Sequence, residues 1–406
     1  MWDGIIVGGG LAGLLTGIRA SERGKRVLII SEGVGSLSYS SGVLDFGEVE
    51  RLVKQEKHPY ALLGESRIRA GAQYFQNLFP EYIGKWGKSQ DVLTPLGSPR
   101  KAGLVPRRFA ADVLRDARQI ILVAPEGLKD FYPEVSKGIL ERDYPLSNVV
   151  LYPIRPARFE PWYQGGKAVT GVDYVRFWRT ESGTAELSSL AKGLVAQVSN
   201  AGTQGSQLSG TVVVFPGLVS EFSSSLEQVV AEISLPLVEM TAFPPSASGG
   251  ILYEVLKQKF KALGGELLVG AGVKAIEAEG KLCRKVIVSS KGRDSCFSAQ
   301  SFVLATGGIF GGGIKVTPSI QQETVLGLPL FVPSHWTRPE FLGEQPYAQM
   351  GVEVDCSLRP LNPQSQEVIF ENVRIVGRML AHYDPWIEQC GGGVSLASGW
   401  FAGDSI

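Results

Sequence analysis

One stretch near the start of the chain limits its fold more than any other. Trp2-Asp3-Gly4-Ile5-Ile6-Val7 reads as a short buried strand, and Gly8-Gly9-Gly10-Leu11-Ala12-Gly13 as a tight turn. Leu14 to Arg23 then carries helical apolar spacing. Gly8 permits the turn, Gly10 lets the backbone approach a pyrophosphate, and Gly13 lets helix and strand pack closely. The first N–H groups of the helix then face the phosphates, with the positive end of the helix dipole behind them. A second strand, Arg26 to Ile30, follows. This is the opening unit of a Rossmann-like α/β sheet.

An acidic residue usually ends that second strand and holds the adenosine ribose of a dinucleotide. Counting from Gly13, the slot falls on Ser31, with Glu32 one place further. Either Glu32 supplies the carboxylate or no ribose is held there.

The charge balance narrows the partners. The chain has 406 residues, with 40 Lys and Arg against 40 Asp and Glu. No basic excess points to nucleic acid or to an anionic membrane surface. No apolar run reaches the length of a spanning helix. The expectation is a cytoplasmic protein whose membrane contact, if any, comes through a partner. Cys283, Cys296, Cys356 and Cys390 form no CxxC or ferredoxin-like run, so no metal centre is expected.

Further along, Ser36 to Asp45 is a small, hydroxyl-rich loop. Its Ser40, Ser41 and Gly42 can donate to phosphate or ring edges without steric cost. The strands Gln119 to Ala124, Val149 to Tyr152 and Thr211 to Phe215, with helical stretches between them, read as a separate parallel α/β unit. The chain then returns through a helix from Ile251 to Leu263, strands at Glu266 to Val269 and Val273 to Ala278, and a hairpin turning near Gly292. Phe302-Val303-Leu304 runs into a turn of small residues, Ala305-Thr306-Gly307. A last strand ends at Gly377. Cys390-Gly391-Gly392-Gly393-Val394 reads as a second helix start brought close to a ligand, where exposed N–H groups stabilise negative charge. The expected division is a discontinuous ligand-binding domain, 1–47 and 243–406, and an inserted capping domain, 48–242.

The order GGGLAG, YSSGVLD, FVLATGG, VRIVG, CGGGVSLASG resembles the flavoprotein subunits of fumarate reductase and succinate dehydrogenase. Within that superfamily, HPYALLG (His58 to Gly64), TPLG (Thr94 to Gly97), FPPS (Phe243 to Ser246), Asp384-Pro385 and QCGGGV resemble the B-type subunits of anaerobic glycerol-3-phosphate dehydrogenase. The likeness spans nearly the whole chain.

The resemblance implies a Rossmann-like FAD/NAD(P)-binding fold with an inserted α/β capping domain. It also implies a flavin, FAD or FMN: the pyrophosphate turn favours FAD, and Ser31 in the acidic slot leaves FMN open. Cofactor contacts are expected at Gly8 to Gly13, at Ser31 or Glu32, at Ser40 to Gly42, and at Val273, Ala305 to Gly307, Gly377 and Cys390 to Val394. Two partners are implied. One is the catalytic A-type flavoprotein, and the other is the C-type iron–sulfur protein that reaches the quinone pool at the inner face of the cell membrane. Proton-transfer candidates are scarce. Among His58, His335 and His382, only His382, with Asp384, stands just before the second glycine turn. The alternatives are a stand-alone oxidoreductase of the fumarate reductase type and a non-redox structural subunit.

Overall fold

The computed structural model describes residues 1–201, 210–218, 233, 235–290 and 292–406. In chain order, β1 (Trp2–Val7), α1 (Leu11–Glu22) and β2 (Val27–Ser31) come first, followed by α2 (Pro59–Leu63) and α3 (Glu65–Leu78). Next are β3 (Gln119–Pro125), β4 (Asn148–Ile154), α4 (Glu181–Ala201), β5 (Thr211–Phe215) and β6 (Leu237–Glu239). Then follow α5 (Ala247–Ala262), β7 (Glu266–Val269), β8 (Gly272–Glu279), β9 (Leu282–Ser290), β10 (Arg293–Leu304), β11 (Val373–Ile375) and α6 (Gly391–Asp404).

The first sheet has the order β7-β2-β1-β10-β9-β8, with β11 also paired to β10. β1 lies parallel to both β2 and β10, and β2 parallel to β7. Ile5, Ile6 and Val27 to Ile30 are all buried, the continuous apolar run that a parallel sheet covered on both faces requires. β10 joins two stretches that read as separate strands in the sequence. Its first half, mostly exposed, pairs antiparallel with β9. Its second half, buried from Phe302 to Leu304, runs parallel beside β1 and β11.

α1 and α6 press together over this sheet through small residues. A Cβ on Gly399 would sit 2.7 Å from the Ala12 carbonyl, and one on Gly403 the same 2.7 Å from the Thr16 carbonyl. Thr16 Oγ1 donates to the Gly399 carbonyl at 3.0 Å. Larger side chains on α6 would push the two helix axes apart.

The second sheet, β6-β5-β3-β4, is parallel throughout. Its faces are covered by two apolar clusters, one built on Ile121, Trp178 and Phe215, the other on Ile120, Leu140 and Val214. Residue 48 is the expected start of the insertion. Val49, Leu52, Tyr60, Ile68 and Phe75 pack into the same cluster as Leu14 and Leu396, because α3 lies along α6. We therefore propose that the inserted unit begins nearer β3. Among the described residues no helix is long and apolar enough to cross a membrane.

Candidate functional site

The glycine turn is fixed by its backbone. Gly8 has φ +111°, and a Cβ there would overlap the Ala305 carbonyl. A Cβ on Gly13 would overlap the Gly8 carbonyl. Gly10 differs: a Cβ there would meet nothing within 4 Å. Gly10 is also the N-cap of α1 and lends no side-chain oxygen to the first turn, so the N–H groups of Leu11, Ala12 and Gly13 face the space above it. This is a cradle for an anion.

The second helix start meets the first. Leu11 at the head of α1 and Gly391, Gly392 and Ser395 at the head of α6 line one cavity of about 240 Å³. Ser36, Ser40 and Asp45 from the hydroxyl-rich loop complete its wall. α6 likewise has no side-chain cap. Gly377, φ +63°, bridges the two helix starts: a Cβ there would lie 3.0 Å from Ala12 Cβ and 3.7 Å from Ser395 Oγ. Its N–H donates to Ser398 Oγ at 3.0 Å. Ala305 stands against the glycine turn and Gly307 against Gly311, and the buried Thr306 Oγ1 between them, beside Gly313, has no hydrogen-bond partner among the described residues. Open room over Gly10, two uncapped helix starts and an orphaned hydroxyl suit a diphosphate joined to a polar ring.

Other expected residues take more specific places. Ser31 is buried and occupied internally: its Oγ accepts from the Gly9 N–H at 3.2 Å and donates to the Gly33 carbonyl at 2.7 Å. Glu32 is exposed and reaches the start of β8, where a Cβ on Gly272 would lie 2.5 Å from its Oε1. Glu32 thus lies beside Gly272, the residue before Val273. Ser40 Oγ accepts from the Gly42 N–H at 3.1 Å, and Ser41 Oγ from the Val43 N–H at 3.4 Å. The Gly42 carbonyl takes the Tyr82 hydroxyl at 2.7 Å.

The triple glycine divides its labour. Gly391 and Gly392 line the cavity, and Gly392 also lets the backbone of Leu44 and Asp45 come within about 3 Å. Gly393 makes room for Tyr60, whose Oη a Cβ would overlap. Val394 is fully buried. Cys390 is also fully buried and is not on the cavity wall.

His382 lies elsewhere. Its Nε2 donates to the buried Glu353 Oε1 at 2.6 Å, Phe331 stacks on its ring at 3.9 Å, and it lines a separate cleft of about 270 Å³ with Lys57 and Gln366. Burial outweighs the Glu353 charge and lowers the His382 pKa, which keeps the imidazole neutral. Asp384 Oδ1 accepts from the Trp386 and Ile387 N–H groups at 2.9 and 3.1 Å, so its carboxylate builds a turn.

Three residues on or near the cavity wall had no assigned place there in the sequence reading. Asp45 lines the cavity with its carboxylate 3.1 Å from Arg100; burial raises its pKa despite that guanidinium. His58 and Glu388 form a buried pair beside Cys390. Asp45 follows the hydroxyl run directly, which was its only sequence signal. His58 was visible only as part of a motif, and its pairing with Glu388 had no signal, since 330 residues separate them.

The family described as FAD binding domain matches residues 3–394. The chain is 28% identical over 435 residues to the B subunit of the anaerobic glycerol-3-phosphate dehydrogenase of Yersinia enterocolitica serotype O:8 / biotype 1B, covering 100% of this chain and 98% of that one. The protein of the same name from Pectobacterium atrosepticum is 29% identical over 441 residues, covering 100% and 98%. That from Vibrio cholerae serotype O1 is 27% identical over 444 residues, covering 100% and 96%.

Proposed function

Because this chain belongs to the FAD binding domain family, we propose that it is the FAD-carrying subunit of an anaerobic glycerol-3-phosphate dehydrogenase. It is a flavin-dependent oxidoreductase, and FAD replaces the choice between FAD and FMN left by the sequence. The observation that carries the reading is the single cavity shared by two uncapped, glycine-lined helix starts. The full-length likeness to the B-type proteins supports the substrate and the multi-subunit setting.

Bound FAD supplies two-electron acceptance and one-electron release. The chain's own residues do the rest. Gly10 and the first N–H groups of α1 hold the diphosphate. Glu32 and Val273 flank the place for the adenosine end. Ala305 to Gly307, packed against the glycine turn through Ala305, wall the ring. Gly391 and Gly392 turn the positive end of α6 toward the ring edge, where negative charge develops. Asp45, paired with Arg100 on the cavity wall, faces the bound group there.

In this reading an A-type flavoprotein oxidises sn-glycerol 3-phosphate, this chain passes the electrons on, and a C-type iron–sulfur protein delivers them to the quinone pool at the inner face of the membrane. The test has two parts. The purified protein should show flavin absorbance, and the extracted chromophore should weigh as FAD. Dye reduction by glycerol 3-phosphate should need the A-type partner. Turnover by the isolated chain would instead favour a stand-alone oxidoreductase, and a colourless protein would favour a structural subunit.

A further inference from the structure

Two sequence motifs that do not line the cavity between the helix starts, His58 to Gly64 and Gln389-Cys390, meet in one cluster. His58 Nε2 lies 3.3 Å from Glu388 Oε2 and 3.9 Å from Cys390 Sγ, and Cys390 Sγ lies 3.7 Å from Glu388 Oε2. These separations approach the edges of a tetrahedral metal site, given bonds of about 2.3 Å to sulfur and about 2.0–2.2 Å to nitrogen and oxygen. The hydrogen bonds argue against that use. The Tyr60 N–H donates to His58 Nδ1 at 3.0 Å, so the ring carries its proton on Nε2, facing Glu388. A ligating imidazole needs the opposite arrangement: a bare nitrogen on the metal and an N–H donated outward. In the same tautomer His58 offers Cys390 no acceptor, and burial, with the Glu388 charge nearby, raises its thiol pKa.

What remains is a carboxylate with converging donors. Glu388 Oε2 accepts from His58 Nε2, from Cys390 Sγ and, at 2.9 Å, from the Asp384 N–H. Burial opposes its charge, but these donors outweigh burial and hold its pKa below the ordinary value of 4.5, so it is ionised at neutral pH. It stands just before α6, whose uncapped start supplies Gly391 and Gly392 to the cavity. Glu388 and the cavity therefore draw on the same positive helix end.

We infer that Glu388, held by His58 and Cys390, is a positioning residue that sets the reduction potential of the bound flavin by partly neutralising the start of α6. This rests on the FAD reading of the cavity. Without the charge, the helix start favours the more negative, reduced cofactor.

The experiment is a spectroelectrochemical titration of the holoprotein. Glu388→Gln keeps the side-chain shape and an acceptor oxygen, and should raise the two-electron reduction equilibrium about tenfold, or about 30 mV upward. His58→Asn keeps a cap on the Tyr60 N–H but removes the donor to Glu388. It should move the equilibrium about threefold the other way. Glu353→Gln, at the buried carboxylate of the separate cleft, is the control. Opposite shifts in the two variants, both larger than in the control, support the inference. A Glu388→Gln shift no larger than the control overturns it and leaves the flavin reading intact. A wild-type protein without flavin overturns both. Should Glu388→Gln not fold, the His58→Asn shift decides alone: a fall supports the inference, and no change or a rise overturns it.

Discussion

At the head of α1, Gly8 and Gly13 are glycine because neighbouring carbonyls occupy the volume a side chain would need, whereas Gly10 is glycine with nothing near it. At the head of α6, Gly393 yields to the Tyr60 hydroxyl and Gly392 to the Leu44–Asp45 backbone, while Gly391 meets only Pro385 Cβ at 3.1 Å. The same letter in a sequence thus records three separate demands: a backbone that folds on itself, a side chain packed from afar, and space kept for a ligand. Only the last concerns function directly.

Substitution can separate the three. Gly13→Ala drives a methyl into the Gly8 carbonyl inside the turn and should destabilise the fold by about 3 kcal/mol or more, read by urea unfolding. An unchanged midpoint would mean that the turn is looser than described. Gly393→Ala overpacks against the Tyr60 hydroxyl and Phe46 Cδ1, the latter at 2.7 Å, and should cost about 2 kcal/mol. Adding Tyr60→Phe should return part of that loss, because the Tyr60 hydroxyl has no partner among the described residues and its removal breaks no bond. No recovery in the double variant would assign the clash to Phe46 alone.

Gly10→Ala should behave in the opposite way. Its φ of −80° and ψ of −169° suit alanine, so thermal stability without ligand should hold or rise slightly. FAD affinity should fall about tenfold, worth about 1.4 kcal/mol, as the methyl fills the cradle. Equal affinity by fluorescence titration would remove Gly10 from the site.

The smallest effect belongs to pH. Glu388 has a folded pKa below its unfolded value of 4.5. Its contribution is therefore present above that value and lost as pH falls through the folded one. The stability gap between wild type and Glu388→Gln should close in acid. A gap that stayed constant from pH 7 to acid would mean the folded carboxylate titrates as it does unfolded.

The fold was legible where a pattern is local. The strand–turn–helix unit, the hairpin turning at Gly292 and the parallel second sheet all follow from neighbouring residues. β10 was read as two pieces because its halves face different surroundings, and each half obeys its own pattern. Ser31 shows the limit of counting: the position was found, but its hydroxyl serves the Gly9 N–H and the Gly33 carbonyl, a use that appears only once strand and turn are set side by side. His58 could be seen as part of a motif, while its bond to Glu388 depends on a tertiary contact that no spacing reveals. The packing of the segment after residue 48 is hidden for a related reason, since α3 looks like an ordinary surface helix until α6 is laid along it.

Thr16 and Gly399, joined across the α1–α6 contact, are 383 residues apart. A ribosome must therefore have made almost everything between them before the cavity can have both walls. Until then the early glycine turn is only half a binding place, and the emerging polypeptide has no complete seat for its prosthetic group. In the proposed reading, loading of FAD follows synthesis of α6, and truncations ahead of Gly391 should yield colourless protein however well the first sheet forms.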